Sequence, residues 1–381
     1  MNRRKFLMLT GGGVVLAAGV GLGAVVTRTP QRALKPWADA GSLYKEPRKR
    51  ALSYAILAPN PHNRQPWLVD LSKQDQVILT ADTKRLLPHT DPFNRQITIG
   101  LGCFLEVMRM AAAEDGYRVD FDLFPEGESA DALDARPIAI ASFAKDTAVE
   151  PDPLFAHVLQ RRSLKEPYDL ARQVPDGALA VIVAAAANGP TAGGSSWPES
   201  VERLRRLTHK ALAVEIDTPR TYKESVDLFR IGKTEIEANP DGIDFSGPMF
   251  ETLNLFGLMT REGSLDTTSS MYKQGRAAVL EATDTAMAHL WLVSPANTRT
   301  DQINAGRDWV RINLAATGEG IGIQPLSQAL QEYAEMKPHY DQIHKELAPG
   351  GGTVQMLARL GYAAPVAPSP RWSLETKIVG S

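Results

Sequence analysis

The chain has 381 residues, long for one domain and short for three, with 43% hydrophobic residues, 23% charged residues and a formal net charge of −2. That near-neutral balance argues against a nucleic-acid partner, which normally shows as a basic domain or stripe. The single cysteine, Cys103, excludes an internal disulfide or thiolate cluster, and the seven histidines form no HExxH-like pair, so no metal site is expected.

The first segment carries an address rather than a fold. Residues 2–8, NRRKFLM, put Arg3–Arg4 before Phe6–Leu7, and a glycine-laced apolar run continues to Val26. This resembles a twin-arginine export signal over residues 1–27, which implies contact with the export machinery and a periplasmic location. The run is also just long enough to span a bilayer, and no clean A-x-A site follows it, so an uncleaved signal would attach the protein to a membrane. Twin-arginine substrates travel folded, often with a cofactor already inserted, which points to a cofactor here.

A polar linker is expected over residues 28–47, followed by a short helix through Leu52, Ile56 and Leu57 that ends before Pro59. PWLVDL and QVILTAD read as two strands joined by a polar turn at Ser72–Asp75. Residues 95–114 have helical length and spacing, closed by Gly116, and strands follow at YRVDFDLFP and at 137–144. Beyond these the pattern predicts helices over 151–162, 175–188, 198–217, 219–238, 305–317 and 326–347, with one strand at 288–294. Glycine-rich loops are expected at 188–198 and 348–353. A small sheet among many helices suggests α+β rather than regular βαβ alternation.

One internal correspondence stands out. Gly102 and Gly306, Ala111–Ala112 and Ala315–Ala316, and Gly116 and Gly320 are each separated by 204 residues, about half the chain. Two buried helices could share small residues by chance; the alternative is one α+β unit fused in two tandem copies.

The stretch ILAPNPHNRQPWLVDL is unusually stiff. Pro59, Pro61 and Pro66 restrict the backbone, so ordering it costs little entropy, and Asn60, Asn63 and Gln65 bring amides that both donate and accept. Such a loop can present a rigid amide surface to a flat heteroaromatic ring, whereas Trp67 reads as a core residue.

APNPHNRQPW, RRSLKEPYD, GIGIQPLSQ and RLGYAAPVAPSPRWSLETKIV together resemble segments of the nitroreductase superfamily of FMN enzymes. APNPHNRQPW is similar to that family's SPSxxNxQPW loop, and RRSLKEPYD (161–169) to its RRSxRxF signature. By the family's usage, Asn60, Pro61 and Asn63 would meet the flavin from one side. Arg161, Arg162, Ser163 and Lys165 would contact the ribityl chain, phosphate and pyrimidine edge. GIGIQPLSQ (320–328) resembles the segment beside the isoalloxazine, which implies that Gln324, Pro325, Leu326 and Ser327 line the ring. The ending RLGYAAPVAPSPRWSLETKIV places Arg371 where the family sets a base on the phosphate.

The order of these motifs departs from the family's, because QPW precedes RRS by about a hundred residues. Family members are homodimers with each FMN held between subunits. A fusion of two subunits, residues 48–150 and 151–381, would therefore keep one complete site. RLLPHTDPFNRQITIGLG (85–102) extends the likeness to the fused, Acg-type branch; Arg85, Asp91 and Arg95 within it read as buried structural ion pairs at least as readily as functional residues. The resemblance implies a tandem nitroreductase-like pseudo-dimer that passes electrons through FMN. The donor would be NAD(P)H or another reductant and the acceptor a nitro compound, quinone or similar small molecule. The alternative is a non-catalytic, flavin-sequestering protein lidded by residues 220–275, whose Tyr222, Phe229, Phe245, Met249, Phe250, Phe256, Met259 and Tyr272 otherwise read mostly as core. No side chain is singled out as a catalytic acid or base.

Overall fold

The computed structural model describes residues 28–129 and 131–380, and the expected export signal lies outside the described residues. The expected linker contains a helix, α1 (Gln31–Asp39), whose Ala33, Pro36 and Trp37 are buried. Next comes α2 (Pro47–Ala55), whose first backbone N–H groups are capped by the Glu46 carboxylate through Arg48 N and Lys49 N.

The first sheet is built from β1 (Trp67–Asp70), β2 (Gln76–Ala81), β3 (Tyr117–Leu123) and β4 (Pro137–Lys145), with α3 (Arg95–Glu114) between β2 and β3. After α4 (Asp176–Ala184) and β5 (Thr191–Ser195) comes a large insertion. It contains α5 (Pro198–Asp217), α6 (Pro219–Asp227), β6 (Phe229–Ile231), α7 (Gly232–Ala238), β7 (Ile243–Phe245), α8 (Pro248–Leu255), α9 (Arg261–Leu265) and α10 (Ser270–Thr283). The second sheet then continues with β8 (Ala288–Ser294), α11 (Arg299–Gly318), β9 (Gly322–Pro325), α12 (Lys337–Leu347) and β10 (Thr353–Gly361), and β11 (Ile378–Gly380) ends the described chain.

The two sheets have the same plan. The first runs β1-β2-β4-β3 and the second β5-β8-β10-β9, all neighbours antiparallel, each with its long helix between second and third strands. The short β11 adds to the first sheet, parallel to β1, so the C-terminal tail crosses from the second sheet to the first. One hydrophobic core runs through both, from Trp67, Leu79 and Phe104 to Leu290, Ile303 and Leu360. Trp67 is fully buried with its ring 5.1 Å from Phe104, as a core residue should be. Two antiparallel sheets with their helices make the fold α+β.

The spacing of 204 residues has a physical basis at the crossing of α3 and α11. A Cβ on Gly102 would lie 2.1 Å from the Ile303 carbonyl oxygen, and one on Gly306 would lie 1.9 Å from that of Ile99. The contacts are reciprocal, and only glycine lets the two backbones approach so closely. Both helices also end on a left-handed glycine, Gly116 at φ +71° and Gly320 at φ +66°. At the other end, Arg95 of α3 donates to the Leu330 and Gln355 carbonyls at 2.8 and 2.7 Å. Arg299 of α11 donates to the Ser129 carbonyl at 2.8 Å, so each arginine reaches into the opposite sheet's territory.

Several segments differ from expectation. Residues 151–162 form only a 3-10 turn, Pro153–His157, because the chain leaves it extended to bond Leu164 N to the Ile323 carbonyl of β9. The span 219–238 is broken by β6, which pairs with β7, and by Gly232 at φ +80°. Helix 326–347 is reduced to α12 and two 3-10 turns, because Leu326 N bonds to the Leu357 carbonyl. The helix expected at 305–317 starts earlier, at Arg299, behind a capping box of Thr298 and Asp301. β5 lies in the expected glycine loop: a Cβ on Gly193 would sit 2.5 Å from the Trp291 ring nitrogen, so the bare backbone is what lets the strands pair. β10 begins in the other glycine loop and is buried on both faces, so it shows no alternation.

Of the trio in residues 85–102, Arg85 pairs with Asp82 and Asp241 and Arg95 with Glu332, as ion pairs. Asp91 instead caps α3, accepting from Gln96 N at 3.0 Å and Ile97 N at 2.9 Å. Burial lifts its carboxyl to about 6 despite those bonds.

Candidate functional site

The proline-rich loop is stiff for a reason beyond its prolines. His62, Asn63 and Gln65 all have positive φ, at 48°, 50° and 51°. A left-handed backbone costs a non-glycine residue roughly 1–2 kcal/mol, so this loop must be held by its surroundings. Asn60 Oδ1 accepts from Gln65 N at 2.7 Å, and Asn60 Nδ2 donates to the Ala58 carbonyl at 3.1 Å. Asn63 Nδ2 donates to the Pro370 carbonyl at 2.9 Å and its Oδ1 accepts from Arg371 Nη1 at 2.7 Å. The buried Gln65 amide donates to the Pro240 carbonyl at 2.7 Å and accepts from Trp372 N at 2.9 Å. Pro61 and Asn60 rest on Gly100 of α3. The amides expected to face a flat ring therefore tie the loop to the C-terminal tail and to the insertion.

Behind the loop lies a cluster of three arginines. Arg371 is buried and spends all five of its N–H groups inside the fold: on the carbonyls of Ile56, Leu57, Ala58 and Pro370 and on Asn63 Oδ1. It is the clamp that shapes the loop, and no donor remains for the phosphate the resemblance assigned to it. Arg161, also buried, reaches the Leu57 carbonyl through Nη2 at 3.3 Å, while its Nη1 is buried without a partner. Arg162 donates through Nη1 to the Leu159 and Arg161 carbonyls, and its Nε is likewise buried and unpartnered.

Burial, reinforced by Arg162, lowers the Arg161 guanidinium to about 10. Burial, then Arg161, lowers Arg371 to about 9, with Asp244 countering. Both stay charged at neutral pH. Buried charges are normally paired, and an unsatisfied buried donor costs about 1–3 kcal/mol, more when charged. Mutually repelling guanidiniums with open N–H groups are the donor set for an anion such as a phosphate.

Trp37 of α1 completes the cluster. Its ring lies 4.8 Å from the Arg162 guanidinium and 5.4 Å from that of Arg371, and its Nε1 donates to the Ser369 carbonyl at 2.8 Å. It escaped notice in the sequence because its helix read as linker; the signal available was a tryptophan in an otherwise polar stretch.

Ser163 is half-buried and the Lys165 side chain is exposed, its charge helping to depress His62, which burial chiefly lowers to about 4. His62 Nε2 lies 3.0 Å from Ser225 Oγ of the insertion. The basic loop meets β9 through Arg359, a fully buried residue missed because its strand was missed. Arg359 donates to Gln324 Oε1 at 2.6 Å and to the Lys165 and Glu166 carbonyls at 3.1 and 2.9 Å, stacked 4.0 Å from Tyr168. Pro325 ends β9 opposite Ala358. Leu326 turns into a packed cluster with Leu204, Leu207 and Leu330 rather than toward the arginines. Ser327 is half-buried at the start of the turn Gln328–Leu330. Thus Arg161 and Arg371 share the Leu57 carbonyl and Asn63 joins Arg371, with Asn60 and Pro61 in the same loop and Arg162 beside Arg161. Arg359 ties Gln324 to the backbone at Lys165, and Leu326 packs in a separate apolar cluster. Among the described residues, no group of three His, Cys, Asp or Glu side chains could hold a metal ion.

The chain is similar to proteins described as nitroreductases. "Putative NAD(P)H nitroreductase Rv3131" of Mycobacterium tuberculosis is 24% identical over 330 residues, 86% of this chain and 89% of its own length. "Putative NAD(P)H nitroreductase acg" of the same organism is 35% identical over 77 residues, 20% of this chain and 23% of that protein. Among solved structures, the FMN-dependent nitroreductase NfnB of Mycobacterium smegmatis, in complex with NADPH, aligns with 57% of this chain and 92% of its own at 19% identity and a TM-score of 0.35. No family model matches the chain.

Proposed function

We propose that the protein is a nitroreductase-like, FMN-dependent oxidoreductase, built as a tandem pseudo-dimer of residues 48–150 and 151–381 with one flavin site. The observation that carries this reading is the pair of buried guanidinium nitrogens without partners, Arg161 Nη1 and Arg162 Nε. The FMN phosphate would be held there, with Arg371 adding charge but no hydrogen bond. Ser163 and Lys165 adjoin for the ribityl chain and pyrimidine edge. Bound FMN supplies two-electron transfer from NAD(P)H to a nitro compound, quinone or similar acceptor. The protein's own residues bind and orient: Arg359 fixes the basic loop against Gln324, Asn63 fixes Arg371, and the Trp37 ring packs against Arg162 and Arg371. The twin-arginine motif supports delivery to the periplasm.

The matching sheet plans support fusion, and the loop 58–66 and basic residues 161–165 supply one composite site. The absorption spectrum of the purified protein tests this. Flavin bands with one FMN released per chain on denaturation are expected; no flavin, or two per chain, would overturn it.

The insertion favours a second reading. It seats on the loop through His62–Ser225, Gln65–Pro240 and a bond from Gly242 N to the Asn63 carbonyl at 3.3 Å. A covered flavin would be sequestered rather than turned over. Steady-state NADPH oxidation with a panel of quinones and nitroarenes separates the two: turnover supports the oxidoreductase, and a bound flavin that no acceptor reoxidises supports sequestration.

A further inference from the structure

We propose that the tip of α8 is a membrane-docking surface, in which Leu255, Phe256 and Leu258 enter the interfacial region of a lipid bilayer. This inference is independent of the flavin reading. The three side chains are 78%, 70% and 61% exposed, side by side on a protein whose other large apolar residues are mostly buried. The turn that displays them is fixed: Gly257, at φ +65°, bonds its N–H to the Asn254 carbonyl, and Leu258 N bonds to the Leu253 carbonyl at 2.8 Å. That is the hydrogen-bond pattern of a Schellman close, in which the apolar residue after the glycine usually folds back onto the helix. Here Leu258 stays exposed.

The bilayer is the occupant because a residue beside the sequence's long apolar run touches this helix. Arg28 lies two residues after Val26, where the apolar run ends. Its guanidinium pairs with Glu251 of α8 at 3.2 Å, and Arg32 donates to the Glu237 carbonyl of α7 at 2.9 Å. Thr29, Pro30 and Leu34 share a cavity of about 110 Å³ with Gly247 and Pro248 at the start of α8. Phe256 lies five residues beyond Glu251, about 7.5 Å along the helix. The α8 tip thus lies about one short helix length from the side chain that Arg28 pairs with, within reach of a membrane that would hold the apolar run. An apolar face set at a membrane surface is stabilised in proportion to the area it buries there.

Cys103 is fully buried, so Phe256→Cys creates one reactive thiol for an environment-sensitive fluorophore. Trp197→Cys is the control: Trp197 is 75% exposed at the far end of the 20-residue α5, about 30 Å long, whose other end meets α6. The full chain is reconstituted into phosphatidylcholine–phosphatidylglycerol vesicles. The expected result is a blue shift at position 256, quenched by lipids carrying acyl-chain nitroxides, and neither effect at position 197. No change at 256 would overturn the proposal, as would equal changes at both sites. A blue shift without vesicles that grows with protein concentration would also overturn it, because a second copy would then cover the tip.

Discussion

The two sheets share a strand order and a central helix, yet they differ in what they connect and what they bury. In the first, β1 and β2 are joined by residues 71–75; in the second, β5 and β8 are separated by residues 196–287, the whole insertion. β4 buries Ile138, Ala139, Ala141 and Phe143, all apolar, whereas its counterpart β10 buries Gln355 and Arg359, and the adjacent β8 buries His289. The shared features lie at the helix crossing, where close approach leaves no choice of residue. The differences lie in the long insertion and in the polar and charged side chains that the second sheet buries. Two sheets can keep one strand order while the side chains they bury diverge.

The symmetric part gives the largest expected effect. Gly102→Val and Gly306→Val each drive a side chain into a backbone carbonyl that cannot retreat without parting α3 from α11. Each should lower unfolding free energy in urea by at least about 3 kcal/mol. Similar losses at both positions would uphold the two-fold crossing; tolerance at one alone would break it.

The one-sided part is tested at the arginines. Arg162→Ala removes an open donor and a charge, so FMN affinity should fall by about 1.5–3 kcal/mol, the worth of a hydrogen bond to a charged group, while riboflavin affinity changes little. Arg371→Ala should instead lower the thermal midpoint and weaken both ligands alike, because that side chain is spent on the loop. Calorimetric titration of both ligands into both variants checks this; a phosphate-selective loss at Arg371 would reassign the site.

Much of the first sheet was legible because β1, β2 and β4 follow strand patterns and α3 has a clear glycine stop. The second sheet was less so, for physical reasons. β5 owes its existence to Gly193 passing beneath Trp291, a tertiary requirement that reads locally as a loop. β10 is buried on both faces, and its Gln355 and Arg359 spoil an apolar run. The candidate site was legible in its residue types, since arginines beside a rigid amide loop are the groups an anion would need. Which arginine stays free and which becomes a clamp depends on the carbonyls of Ile56, Leu57 and Ala58, and no sequence pattern reveals that.

His289 measures what the polar second sheet costs. It is fully buried, neither ring nitrogen has a hydrogen-bond partner, and burial, followed by Arg205 and Arg359, lowers its pKa to about 3. The folded state thus refuses a proton that the unfolded chain takes up near 6.5. Stability from this residue is full above about pH 6.5 and is lost as pH falls toward 3. The loss at pH 5 relative to pH 7 should be about 2 kcal/mol. His289→Leu should flatten that stretch of the urea-midpoint profile; an unchanged slope would show that the histidine is not held neutral.

The smallest effect is expected at Asn63, where the proline-rich loop meets the C-terminal tail. Its amide bridges the Arg371 guanidinium and the Pro370 carbonyl, and its φ of 50° is one a side chain rarely adopts. Two substitutions separate these roles. Asn63→Gly loses the amide but suits the backbone, whereas Asn63→Ala loses the amide and keeps the strain. The amide's net worth is about 0.5–1.5 kcal/mol, and alanine should cost roughly 1 kcal/mol beyond glycine for the left-handed backbone. Flavin affinity should fall about threefold to tenfold in both variants, because Arg371 and the loop it holds would lose their alignment with Arg161. Thermal midpoints and FMN titrations on the pair check this. If stability falls while FMN binds as in the parent, the loop is scaffold alone and the first half contributes nothing to the site. If both variants lose affinity equally while only alanine loses the extra stability, the contact between loop and arginine is what joins the halves into one site.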